Sequence, residues 1–528
     1  MKKIARYVLT AAMMLASAIG AQAQSDPDAT IKAVGKIVNK HGDVAEYFIS
    51  KEIYPKYRKD AKVLTGIARA YNQAPRGVDS SYVFNYIRKA IEIDPNYAPA
   101  YVIGGTELRQ RGDTLAAFEW YDRAIKANPK DPDGYLKYAQ LMANKKYSKC
   151  DLEGAVRKLE ELANINPEAN IYVEVGRLYI DAGGMDYIPQ AIDAYAKADV
   201  ATMTPAQVSA YVYLLQAAGA SGGGIGSYNR SDSVLSLALA KYPANADLNR
   251  LMLKNCVNKY MKKYDQALVA ADALFNKSDS LEVDFMDFIY YGDAYLGLKR
   301  YDDAIAMYKK CVDYEITRSD YKSDESYENM KRQEDRQKGN AMKKIVDAYK
   351  DKGYMDEAIE EYKKYIAYKE SIGKLESLDL YDFSRLYIEQ VDFLNGEEKL
   401  MAYKNAFEVS DEMAKLALKD ELLDNYAMAR LQRRDLTLQV LDRELKDWIW
   451  VGDAEEVVNL FYSKEGLGKY PQKCLTQAVE YLVIYYVRNE QYRALRKYWE
   501  MLGQLDPTNS NYTMLDNPTY RRKMGIRR

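Results

Sequence analysis

Catalysis near neutral pH usually runs through an imidazole, an activated thiolate or a pair of carboxylates. This 528-residue chain is poor in the first two. Its one histidine, His41, lies in the stretch NKHGDVAEYF. A Ser-His-Asp or Cys-His arrangement would have to use it, and a His-based metal site has no second imidazole to draw on. The Gly42-Asp43 that follows reads as the end of one helix and the start of the next, which assigns His41 a structural place. Four cysteines, Cys150, Cys256, Cys311 and Cys474, stand far apart without C-x-x-C spacing. They read as single buried thiols, with one long-range bridge as the alternative. Carboxylates are plentiful, and an Asp or Glu pair would serve a glycosidase, but in YDDAI and MDEAI the acids fall where a polar helix face puts them. The glycine cluster in AAGASGGGIGSYNRSD, residues 217–232, lacks both the Lys-Ser/Thr ending and the preceding strand of a phosphate loop, and it reads as a flexible loop. No metal or cofactor is expected.

The elements that carry these residues repeat. YDDAIAMYKK, Tyr301 to Lys310, returns fifty-four positions later as MDEAIEEYKK, Met355 to Lys364, with the shared residues at helical spacing. Around the first copy, Phe288, Gly292 and Tyr295 make one helical stripe; Ala304, Tyr308 and Cys311 make a second, and GLKR forms the turn between them. The unit is a helical hairpin whose apolar stripes face each other. Gly292 and Ala304 let the two backbones approach, and tyrosines fill the remaining space, which accounts for 49 Tyr against 10 Phe and 4 Trp.

The same order recurs as Tyr101, Gly105, Leu108, Gly112, Ala117, Tyr121, Ala124 and Pro129. This resembles the tetratricopeptide repeat, whose 34-residue signature places an aromatic, Gly, Tyr, turn Gly, Ala, aromatic, Ala and closing Pro at these offsets. Weaker copies include Tyr172, Gly176, Tyr179, Ala191, Tyr195 and Ala198, then Tyr349, Gly353, Ala358 and Tyr362. The resemblance implies an all-α fold, a right-handed α-solenoid of stacked hairpins, helical well beyond a third of its residues and essentially without strand. It divides the chain into a helical cap over 24–60, an array over 61–410, degenerate helical repeats over 411–475, a last unit over 476–507 and a loose basic tail over 508–528. The array is broken near 217–232 and 316–340, the second break being a charged, solvated helical extension or loop. Tyr172, Tyr179, Tyr195, Tyr308 and Tyr349 are placed between helices as core, and Glu361 at an exposed position.

Residues 1–23 stand apart. Lys2, Lys3 and Arg6 precede an apolar run to Ile19 that ends in Ala21-Gln22-Ala23, a secretory leader rather than an anchor. No Cys follows the cleavage site, so no lipid anchor is indicated. Cleavage deepens the formal net charge from −1 to about −4, which does not attract nucleic acid. The expected protein is an exported bacterial one, periplasmic or alternatively released.

In the resembled family the first helix of each hairpin lines a concave groove, and the residues between its core positions point into it. Carried over by position, these are Arg109, Lys137, Gln140, Glu174, Arg177, Tyr290, Asp293, Lys344, Asp347 and Lys350. The resemblance implies a non-catalytic scaffold of the bacterial envelope that binds a protein or peptide in that groove. The alternatives are a glycan-binding helical protein of the outer-membrane capture type and, behind it, a carboxylate-based enzyme.

Overall fold

The computed structural model describes residues 26–75, 77–146, 150–278 and 283–526, without the side chains of 183–185. The leader reading for residues 1–23 lies outside the described residues. Every regular element described is helical, and none of these helices is long and apolar enough to cross a membrane. The chain forms two compact units, Met1–Lys263 with Val269–Leu281, and Tyr264–Leu268 with Glu282–Arg528. Repeats expected over 61–410 fall in both.

The first unit opens with α1 (Pro27–His41) and short helical turns between Val44 and Tyr57. His41 ends α1, and Gly42, at φ 56°, terminates it, as the sequence suggests. Hairpins follow: α2 (Ala61–Asn72) with α3 (Ser81–Ile93), α4 (Ala98–Gln110) with α5 (Thr114–Ala127), and α6 (Pro132–Met142) with α7 (Leu152–Ile165). Next come α8 (Tyr172–Gly183) with α9 (Ile188–Lys197), α10 (Pro205–Ala218) with α11 (Gly224–Lys241), and α12 (Ala246–Val257). Asp60, Asp113, Asp151 and Asn245 begin helices by accepting a backbone N–H three residues on. Thr204 and Gln207 close the capping box expected of TPAQ.

The second unit contains α13 (Phe285–Gly297) with α14 (Tyr301–Val312), α15 (Asp324–Lys352) with α16 (Met355–Ser371), and α17 (Ser377–Gln390) with α18 (Gly396–Lys419). It ends with α19 (Leu423–Leu436), α20 (Val451–Phe461), α21 (Lys469–Arg488) and α22 (Tyr492–Leu505). Within each unit, first helices also pack on the next first helix, as α2 does on α4 and α13 on α15.

One contact recurs in the hairpins. A Cβ built on Gly105 would stand 2.6 Å from the Tyr121 ring, one on Gly176 2.6 Å from Tyr195, and one on Gly292 2.4 Å from Tyr308. Each glycine lets its helix backbone lie against the aromatic ring of the second helix, and each ring is buried. Tyr172, Tyr179 and Tyr349 are half-buried against the same cores.

Several expectations change. The glycine-rich stretch 217–232 is no open loop: α10 runs through a π turn, Gly222 (φ 120°) and Gly224 (φ 52°) reverse the chain, and α11 starts at once. Glycine alone adopts those angles without strain. The insertion over 316–340 is the helical extension, since α15 has 29 residues, but it is not wholly solvated. Glu334 is fully buried, accepting from the Ile316 N–H at 3.0 Å and pairing with Lys331 at 2.5 Å. The tail is docked rather than loose: Leu515 and Met524 are buried, and Trp499 Nε1 donates to the Tyr512 carbonyl at 3.1 Å. Cys256, Cys311 and Cys474 are buried, and burial pushes each thiol up to about 12. Cys150 is exposed.

Glu361 is not at the surface; its side chain is 12% exposed and pairs with Lys364 at 2.8 Å. Its neighbour Glu360, 63% exposed, is the outward residue. Gly105→Leu and Ala358→Leu therefore overpack a helix contact and should each cost about 1–3 kcal/mol or more, whereas Glu360→Ala changes stability by less than about 1 kcal/mol. Urea titrations followed by circular dichroism measure all three, and equal losses would show that the packing positions are misassigned.

Candidate functional site

In the first unit the predicted residues lie on successive first helices. Arg109 is half-buried in the last turn of α4. On α6, Lys137 Nζ donates to Gln140 Oε1 at 3.4 Å, and on α8 Arg177 pairs with Glu174 at 2.8 Å. These partners sit three residues apart on one helix, so they arrange the surface without joining helices, and such pairs are worth only tenths of a kcal/mol. Two neighbours escaped the sequence reading. Glu107, buried on α4, accepts from Asn72 Nδ2 of α2 at 2.9 Å and from Arg111 at 2.7 Å. Lys254 on α12 lies 5.9 Å over the ring of Tyr213 on α10, and burial lowers its ammonium below the ordinary lysine range.

In the second unit the predicted residues do converge. The Asp293 carboxylate of α13 accepts from the Tyr308 hydroxyl at 2.7 Å and from Lys344 Nζ of α15 at 2.7 Å. Burial, together with the Asp293 charge, pushes the Tyr308 hydroxyl far above the usual tyrosine range, so it remains a proton donor. Lys350 of α15 reaches Glu389 of α17 at 2.7 Å. Lys343, which the frame did not select, bridges Asp379 at 3.1 Å and Asp382 at 3.3 Å on α17. Tyr290 is half-buried on α13.

Asp379 is the centre of this arrangement. It is 5% exposed and also accepts from the Tyr365 hydroxyl at 2.6 Å and the Glu376 N–H at 3.2 Å. Burial alone would raise its carboxyl, but the Tyr365 hydroxyl, the Glu376 N–H and Lys343 hold it below the usual range.

Between α15 and α17 lies a cleft of about 360 Å³, lined among others by Asp347, Lys350, Tyr362, Arg385 and Leu386. Tyr362 is buried and stacks on Phe383 with ring centroids 5.1 Å apart, so the cleft has a fixed wall. Lys343 and Lys350 are committed to the acids of α17, whereas Asp347 and Arg385 reach solvent. Partial desolvation in the cleft raises the Asp347 carboxyl; Lys350 pulls it back, Asp351 adds to the rise, and Lys344 and Lys343 offset it. A carboxylate and a guanidinium that both reach solvent, lining one walled cleft, are equipped to recognise a zwitterionic or mixed-charge segment.

Comparison with known proteins gives three findings. The model of the tetratricopeptide repeat matches residues 291–315 and 344–372, parts of the α13–α14 and α15–α16 hairpins. No curated protein matches the chain. Among solved structures, the chain is similar to the C-terminal part of a TPR repeat-containing protein from Cytophaga hutchinsonii, at 19% identity and TM-score 0.37, over 58% of this chain and 99% of that one. It is also similar to a tetratricopeptide repeat protein from Parabacteroides merdae, at 17% identity and TM-score 0.26, over 52% of this chain and 94% of that one.

The two carboxyls titrate in opposite senses. Asp379 has a depressed folded-state value, so its contribution to stability is present above its unfolded value of about 3.9 and is lost as pH falls through the lower folded one. Asp379→Asn should flatten the acid limb of a stability–pH curve below about pH 4 and lower stability at pH 7. Asp347 has a raised value, so ionising it works against the fold. Asp347→Asn should melt at a higher temperature than the parent at pH 7, the gap closing below about pH 4. Parallel melts of both variants across pH check the two signs.

Proposed function

From the tetratricopeptide-repeat match at residues 291–315 and 344–372 we infer that the chain is a non-catalytic scaffold that binds a protein or peptide partner along the polar faces of its first helices. The observation that carries this reading is the α15–α17 cleft, where every lysine is held by an acid of the chain while Asp347 and Arg385 are left for a ligand. A carboxylate ionised in a partly desolvating cleft is a cost to the fold, and a partner's cation would offset it. Some tetratricopeptide domains grip a C-terminal carboxylate with a Lys and Asn set on adjacent repeats; Val102, Thr106, Lys137 and Gln140 of the α4 and α6 faces do not reproduce that set, so the partner segment is read as internal and of mixed charge. The leader-like residues 1–23 support the proposal of export and work in the bacterial envelope, in the periplasm or alternatively outside the cell.

A photo-crosslinking amino acid installed at Arg385 of the exported chain should capture the partner in the native envelope, whereas the same residue at the exposed Lys309 of α14 should not. Against the identified partner, Arg385→Ala and Asp347→Ala should each weaken binding by about 1–2 kcal/mol in isothermal titration, and Arg177→Ala and Tyr290→Ala should contribute smaller shares. Capture at Lys309 with none at Arg385 would move the binding surface to the second helices and overturn the site.

A further inference from the structure

The extension of α15 has a charge distribution that the repeat frame does not explain. Within KRQEDRQK, residues 331–338, both acids are taken: Glu334 is buried against Lys331 and the Ile316 N–H, and Asp335 accepts from the Tyr368 hydroxyl at 3.2 Å with Lys331 at 3.6 Å. Lys338 adds to the same cluster at 3.6 Å from Glu334. Arg332 and Arg336, one helical turn apart on the extension, meet no acid among the described residues. They border a pocket of about 320 Å³ that also takes in Tyr365, Lys369, Ile372 and Lys374 from α16 and the connection after it.

Four cations therefore come to one pocket from two sides. Arg332 donates to Asn329, which neutralises nothing. Lys369 is 3.5 Å from Asp379, an acid already served by Lys343 and Tyr365. The acids at the rim are Asp335, occupied as above, and Glu376 at the start of α17, whose backbone N–H donates to Asp379 at 3.2 Å. The Arg336 and Lys374 side chains have no hydrogen-bond or ion-pair partner among the described residues. A monocarboxylate is satisfied by a single guanidinium fork, whereas a phosphate presents oxygens in several directions and takes donors from each. The volume lies in the range of ligand pockets, and Tyr365 and Ile372 supply apolar wall.

We propose that this pocket, built by the α15 extension and the α16–α17 connection, is a binding site for a phosphate group, free or carried on a small organic ester. It shares no residue with the α15–α17 cleft, so it stands whether or not that cleft binds a protein.

The test is isothermal titration of the full exported chain at low ionic strength with inorganic phosphate, phenyl phosphate and benzoate. Both phosphates should bind, and benzoate should bind at least about tenfold more weakly. Tighter binding of phenyl phosphate identifies an ester seated on Tyr365 and Ile372, and equal binding identifies the free anion. Arg336→Ala and Lys374→Ala should each weaken phosphate binding about tenfold, Arg336→Lys less, and Lys309→Ala not at all. Arg336 and Lys374 are exposed, so the variants keep the fold, which circular dichroism verifies. Absence of phosphate binding at millimolar concentration, benzoate binding as strongly as phosphate, or affinity unmoved in Arg336→Ala and Lys374→Ala would each overturn the proposal.

Discussion

The contact on which the rest depends is a glycine backbone pressed against a tyrosine ring. At Gly105 on Tyr121, Gly176 on Tyr195 and Gly292 on Tyr308 there is no room for a Cβ, so the two helices of a hairpin meet at a separation that only glycine permits. The ring also crosses the interface and delivers its hydroxyl beyond it. Tyr308 donates to Asp293, the residue after Gly292, and the Tyr121 hydroxyl lies 3.4 Å from Thr106 Oγ1, the residue after Gly105. The contact that closes a hairpin thus reaches the polar face of its first helix. A core position and a candidate site position are adjacent in sequence because the ring passes from one to the other.

The charges on those faces follow from the same stacking. With first helices laid side by side, side chains between core positions meet across them: Lys344 with Asp293, Lys350 with Glu389, Lys343 with Asp379 and Asp382. The half-exposed pairs contribute little to stability, since solvent screens them and long side chains are ordered to make them. Asp379 differs because it is buried and fully hydrogen-bonded, so removing a partner there leaves an uncompensated group. Farther along the second unit a denser version appears: Arg430 binds Asp411 at 2.7 Å, Asp453 at 2.8 Å and Glu456 at 2.6 Å, and Arg433 binds Asp453 at 2.7 Å. There the repeat spacing has faded, and an ionic lattice ties α18, α19 and α20 together.

The hairpins were legible in the sequence because the packing is local and periodic: Gly292 and Tyr308 sit at fixed offsets, and spacing alone pairs them. The candidate residues were legible as positions for the same reason, but not as partners. That Asp293 meets Lys344, fifty-one residues on, depends on which first helix comes next, and the insertion between them hides the register. Lys343 was missed because it lies one step off the carried-over Lys344, and Arg385 because no position on α17 was carried over, although both line the cleft. The glycine run at 217–232 misled because composition records freedom to turn and not the tightness of the turn: Gly222 and Gly224 reverse the chain while Gly219 accommodates the Tyr228 ring. The docked tail was missed because Leu515 and Met524 are single apolar residues among polar ones, and burial of isolated residues leaves no period to detect.

Breaks in the frame carry a different kind of information from the frame itself. Inside a repeat, a side chain is constrained on one face by the core and on the other by the next first helix, so most charges find an acid or base at the neighbouring register. The extension of α15 has no such neighbour along its whole length. Its one deep acid, Glu334, is buried by the chain that folds back at Ile316 and draws Lys331 and Lys338 to itself. The arginines on the remaining face then meet no acid among the described residues. Left unmatched, such a pair repels itself and costs stability, so the helix that holds Arg332 and Arg336 one turn apart is held in place by the Glu334 cluster, and the pocket they border is a consequence of where that single carboxylate is buried.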